Sequence, residues 1–181
     1  PGLHTPDGGG VQLNLTDEEA VRHAYRQLSE RGHSATVLIQ PMLERQGAYE
    51  LMVSSTIDQQ FGPVLTFGKG RRLHELDQDQ AIALPPLNGS LARRTLEQTR
   101  IFQALSGQSC YPAIDLDALD QLLVGISWLV ANHALIRSIH INPLWALPDW
   151  RAMDVAEPLS ALTRQLSLVV LEARIELHDP P

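Results

Sequence analysis

The stretch from Ile136 to Ala146, IRSIHINPLWA, decides how the rest of the chain is read. Up to Asn142 its apolar residues alternate with small or polar ones, which is the two-residue period of a strand. Ile139 and Ile141 should face a core, while His140 and Asn142 share the opposite face. Pro143 cannot donate to a ladder, so the pattern predicts a strand that ends there. Asn142 would then sit at a strand exit, where an amide oxygen is available for chemistry.

Downstream, LSLVVLEARIEL reads as the last strand and carries Glu172. If it neighbours the first stretch, Asn142 and Glu172 could share one Mg²⁺, since hard cations take oxygen ligands and Mg²⁺ needs few from protein when phosphates supply the rest. The plainer reading is a capped strand end and a surface glutamate.

Upstream, AYELMVSSTI and VLTFGKG are strands separated by the turn DQQFGP, a spacing that predicts an antiparallel pair. QAIALPPL reads as a short strand closed by Pro85 and Pro86. VQLNL, Val11 to Leu15, and ATVLIQPML, ending at Pro41, also read as β. Helical spacing marks TDEEAVRHAYRQLSERG, capped by Thr16 with Glu19 completing a capping box. It also marks GSLARRTLEQTRIFQAL, DLDALDQLLVGISWLVANH with Asp115 as its cap, and DVAEPLSALTRQL entered at Pro158. The order βαββββααβαβ is an α+β pattern with a mainly antiparallel sheet flanked by helices.

The bulk numbers narrow the function. The 181 residues are 44% hydrophobic and 19% charged, with a formal charge of −7. That composition is globular, and without a Lys/Arg block it disfavours a nucleic-acid groove. No apolar run approaches a membrane span. Cys110 is the only cysteine, which fits a reducing, cytoplasmic setting. The opening PGLHTPDGGG is neither a signal peptide nor an ordinary start, and the closing HDPP would suit a cut inside a linker, so the chain is expected to be a piece of something longer.

Several stretches could hold an anion or a flat ligand. DGGGV offers backbone N–H groups to phosphates but lacks the Lys-Ser/Thr of a P-loop. FGKGRR sets Lys69, Arg71 and Arg72 around a glycine turn, as an anion site or a solvated hairpin tip. Gln40 and Met42 near a strand end could flank a flat ligand, although methionine in a core is commoner. Glu50 opens an otherwise apolar strand. No HExxH or G-x-S-x-G motif occurs, and His4, His23, His33, His74, His133 and His178 stand in loop or surface contexts.

Five ordered blocks then resemble a known family: LHTPDGGGVQLNLTDEEAVRHAY, VLIQPM, YELMVSSTIDQQFGPVLTFGKG, IALPPLN and IHINPLWA with VVLEARIEL. Together they resemble the ATP-grasp region of NDP-forming acyl-CoA synthetases. DQDQAIALPPLNGSLARR looks closer to bacterial Pat-type protein lysine acetyltransferases, in which a synthetase-like region is fused to a GNAT domain.

The resemblance implies a partial ATP-grasp-like domain over residues 1–181, part of a larger multidomain protein, with an insertion from Pro148 to Ser167. It implies ATP or ADP with Mg²⁺ as cofactors, and acetyl-CoA or acyl-CoA as a partner through the rest of the parent protein. By position, Asn142 and Glu172 correspond to metal ligands, the latter standing where the family has aspartate. Gln40 to Met42 correspond to the hinge beside adenine, Glu50 to the acid opening the next strand, and Gly68 and Gly70 to a glycine turn. Thr5 replaces a lysine expected near phosphates, and Ser138 and His140 replace acids, so the site is degenerate at these three positions and no catalytic residue is assigned.

Three expectations follow. One is a regulatory module of an acetyltransferase that senses acetyl-CoA or nucleotide. Another is part of a working ATP- and Mg²⁺-dependent synthetase. The last is a structural or homo-oligomerisation domain.

Overall fold

The computed structural model describes residues 10–30, 36–40, 42, 47–70, 79–108, 112–148 and 166–178. It divides into two compact units, Pro1–Glu44 and Arg45–Pro181.

In the first unit the element is helix α1, Glu18–Glu30. Its cap is Asp17, whose Oδ1 accepts the Ala20 N–H at 2.8 Å; the expected cap, Thr16, instead hydrogen-bonds weakly to Asp17 at 3.5 Å. A carboxylate at this position also complements the positive helix start. Ala24 and Leu28 are buried beneath it. The expected strand at Val11–Leu15 does not form, because Asn14 takes a left-handed φ of 59° and breaks the extended run. Residues 36–40 are likewise not a strand, and Leu38 and Ile39 are exposed. Among the described residues no neighbouring strand pairs with either segment, and an unpaired β segment has little to hold it.

The second unit is a twisted sheet with helices on one face. Strands β1 (Tyr49–Asp58), β2 (Gly62–Lys69) and β3 (Gln80–Ala83) form an antiparallel meander. The β1–β2 turn is a three-residue loop closed by Gly62 at φ 74°, the left-handed position such loops require. Asp58 fixes it by accepting the N–H groups of Gln60 (2.8 Å) and Phe61 (3.0 Å), first of which holds its carboxyl below the usual pKa. Strand β4, Ile136–Ala146, pairs with β1 on one side and with β5 (Leu168–Val170) and β6 (Ala173–Leu177) on the other, all antiparallel.

Pro143 does not end β4, contrary to the alternation argument. Asn142–Pro143 forms a bulge opposite Met52, where the register with β1 shifts between Leu51 and Val53. The bulge absorbs the residue that cannot donate, and Leu144–Ala146 resume pairing. The last strand is interrupted only at Leu171–Glu172, across which its register with β4 continues unchanged.

Three helices cover one face of this sheet: α2 (Gly89–Glu97), the short α3 (Phe102–Leu105) and α4 (Leu116–Asn132). Asn88 and Asp115 cap α2 and α4, the latter as the sequence indicates. The single helix expected over 89–105 is broken in two. Asp79, buried at the start of β3, accepts the N–H groups of Arg100 (2.6 Å) and Ile101 (2.8 Å) and so captures donors at the elbow. Leu51, Val53, Leu65 and Phe67 of the sheet pack against Ala92, Leu96, Leu119 and Leu123 of the helices, all 0% exposed. The helix expected over 154–166 lies outside the described residues except at its end.

Ser127, fully buried in α4, accepts the Leu87 N–H at 2.9 Å and donates to the Val124 carbonyl at 2.7 Å. Ser127→Ala strands the Leu87 N–H, and urea unfolding should show a loss of about 1–3 kcal/mol. An unchanged midpoint would show that this bond does not hold the β3–α2 connection.

Candidate functional site

One face of the sheet is buried under helices; the other carries most of the polar candidates. The pairing register sorts them. Leu51, Val53, Ile139, Ile141 and Leu144 line the helix-covered side. Glu50, Met52 and Ser54 of β1 and His140 and Asn142 of β4 alternate with them and share the other side.

The row through Asn142 is the centre of this face. The Asn142 N–H donates to the Glu172 carbonyl at 3.2 Å, and the Leu171 N–H donates to the Pro143 carbonyl at 3.1 Å. Extrapolating the pairs Ile141↔Ala173 and Leu144↔Val170 places Asn142 opposite Glu172 on the same face. Both residues are exposed. An amide oxygen and a carboxylate thus stand on adjacent strands beside the bulge, a donor set that suits a hard divalent cation with further ligands supplied by phosphate or water. Among the described residues no group of three or more His, Cys, Asp or Glu side chains converges on a metal position.

The same row runs on through Met52 to Gly68, and Gln80 pairs with Gly68 beyond it. The Gln80 amide reaches across Gly68 to the Met52 sulfur at 3.7 Å. No motif or periodicity singles out Gln80 or Met52; only strand pairing puts a methionine and a glutamine beside Asn142. It also gives Gly68 a packing role. A Cβ there would stand 2.4 Å from the Asp79 carbonyl oxygen. A Cβ on Gly70 would stand 2.9 Å from the Leu51 carbonyl oxygen, and the Gly70 N–H donates to the Glu50 carbonyl at 2.8 Å. Both glycines permit close backbone approach.

Glu50 pairs with Trp145, and the Glu50 Oε2 and Trp145 Nε1 atoms are both buried. The next row, Thr66–Ser54–His140–Arg174, lies on the other flank of Asn142. His140 is exposed as expected for this face. Ser138, one row further, is buried and donates to Glu176 Oε2 at 3.2 Å, so a carboxylate from the neighbouring strand stands beside it.

The sheet unit therefore brings together Glu50, Gly68, Ser138, His140, Asn142 and Glu172. Gln40 and Met42 belong to the first unit and are exposed. Thr5, Arg71, Arg72 and the DGG of DGGGV lie outside the described residues. Lys69 instead borders a small groove with Asp79, Arg100 and Ile101. No described helix is long and apolar enough to cross a membrane.

Comparison with known proteins gives a consistent answer. Residues 2–156 match the ATP-grasp domain. The chain is 29% identical over 166 residues to a trans-feruloyl-CoA synthase from an unknown prokaryotic organism, covering 89% of this chain and 24% of the synthase. It is 27% identical over 154 residues to the β subunit of an ADP-forming acetate–CoA ligase from Pyrococcus furiosus, covering 81% of this chain and 66% of the subunit. Among solved structures it resembles the dinucleotide-forming acetyl-coenzyme A synthetase 1 of Ca. Korarchaeum cryptofilum, in complex with coenzyme A and Mg-AMPPCP. There the TM-score is 0.77 and the identity 27%, over 97% of this chain and 71% of that one. The chain thus spans about a quarter of the synthase and about two thirds of the other two.

Proposed function

The chain belongs to the ATP-grasp domain family, and on that premise we propose that it binds a Mg²⁺–adenine nucleotide on the open face of its sheet as part of an acyl-CoA synthetase-like protein. The observation that carries this is the placement of Asn142 opposite Glu172, with His140 beside them. Asn142 and Glu172 hold the cation, and Glu50 lies towards the sugar and base end of the nucleotide. Coenzyme A or an acyl-CoA is the partner of the larger protein, as the relatives' names suggest by analogy. Residues 148–167 are an insertion in that plan.

A second reading is favoured by Ser138 and His140. If neither position supplies the acid expected there, nucleotide binds without being turned over, and the domain serves as a regulatory sensor in a GNAT-fused acetyltransferase. Glu172, one methylene longer than the family's aspartate, points the same way because it displaces the cation.

Thermal unfolding in the presence of ADP tests the binding claim. A saturating ligand at a hundred times its Kd stabilises the folded state by about 2.7 kcal/mol, so Mg-ADP should raise Tm. ADP with a chelator should give a markedly smaller rise. No shift with millimolar Mg-ADP would remove the nucleotide reading. Steady binding without nucleotide hydrolysis or acyl-CoA formation by the parent protein would favour the sensor.

A further inference from the structure

We propose that the outer edge of β6 pairs with the same edge of a second copy of this chain, forming a two-fold symmetric antiparallel strand pair centred on Ile175. Strand β6 pairs with β4 on one side, and among the described residues no strand pairs with it on the other.

The direction of its free groups can be read from the ladder. The Glu172 carbonyl accepts from Asn142, and the His178 N–H donates to the Leu135 carbonyl. Within β6, beyond the interruption at Leu171–Glu172, the even-numbered groups therefore face β4. Alternation turns the N–H and C=O groups of Ala173, Ile175 and Leu177 outward. Edges of this kind are ordinarily blunted by proline, a bulge or charges that repel a second edge. Ala173–Leu177 contains no proline and no internal break.

Its two charges do the opposite of repelling. In an antiparallel pairing centred on Ile175, Arg174 of one copy faces Glu176 of the other, and Glu176 faces Arg174. Within one copy these side chains already meet at 2.9 Å, and Arg174 remains 73% exposed with donors to spare. Ile175 faces its own symmetry mate, and Leu177 faces Ala173. The apolar side agrees. Ile175 and Leu177 pair with the buried Ile139 and Ile136 yet are 55% and 61% exposed, and Leu135 beside them is 60% exposed. A second sheet edge extends the apolar surface that these exposed side chains leave open. A C2 interface needs a self-complementary patch, which the order Arg-Ile-Glu supplies. Five paired residues bury far less than the ~800 Å² per partner of a standard interface, so the dimer is weak and concentration-dependent.

Sedimentation velocity of the whole 181-residue chain over a concentration series tests this. The expected result is a monomer–dimer equilibrium. Arg174→Glu or Glu176→Arg alone places like charges opposite each other at two symmetric positions and should raise the dimer Kd roughly tenfold. The double variant R174E/E176R restores both pairs and should return Kd close to the native value, with circular dichroism showing each variant folded. A chain monomeric throughout, a dimer indifferent to the single reversals, or a double variant as weak as the singles would each overturn the proposal.

Discussion

Asp79→Ala should lower the unfolding free energy by about 1–4 kcal/mol, because two part-buried N–H groups lose their acceptors together and the loss of a fully buried one costs about 1–3 kcal/mol. The carboxylate is 8% exposed and spans the gap from the start of β3 to the elbow between α2 and α3. Its own backbone carbonyl accepts the Lys69 N–H at 3.3 Å, so the residue joins β2, β3 and the helix layer. Alanine removes both acceptors without removing the donors. Asp79→Asn keeps one oxygen in place but turns an amide N–H₂ towards the other donor, so it should lose less than alanine. Urea unfolding followed by circular dichroism measures both. An alanine variant within about 0.5 kcal/mol of native, the range of an ordinary surface substitution, would show that the elbow holds without its carboxylate.

Asn142→Ala should weaken Mg-ADP binding at least about tenfold, since losing a partner to a charged group costs about 1.5–3 kcal/mol. Stability should barely change, because the side chain is exposed and its backbone pairing with Glu172 remains. Asn142→Asp keeps an oxygen at the same place and adds a charge, so Mg²⁺-dependent binding should persist. Calorimetric titration of the three proteins with ADP, with and without Mg²⁺, separates the cases. Equal affinity for the alanine and native chains would take Asn142 out of the site. An equal loss for Asp and Ala would mean the amide serves the nucleotide directly and not the cation.

The strands around Leu51, Leu65 and Ile139 and the long helix from Leu116 were legible because periodicity records which side chains meet the core. So was the shared face of His140 and Asn142, which follows from their spacing of two. The segments at Val11–Leu15 and 36–40 misled for a related reason. Alternation describes what a strand would bury, but a strand forms only if another chain segment accepts its hydrogen bonds. The break between α2 and α3 was invisible because its cause, Asp79, lies more than twenty residues upstream.

What the sequence by itself determined is the α+β class, the core-facing side of the strand through Ile139 and Ile141 and the family to which the ordered blocks point, because these depend on local period and residue order. Only the tertiary structure decided that β4 runs on through Pro143, that Asn142 stands opposite Glu172, and that Gly68 is required by the Asp79 carbonyl beside it. Each of those is a matter of register between distant segments. Register is fixed by the summed burial of a whole face and by where a bulge absorbs the odd residue, which no single stretch of chain contains.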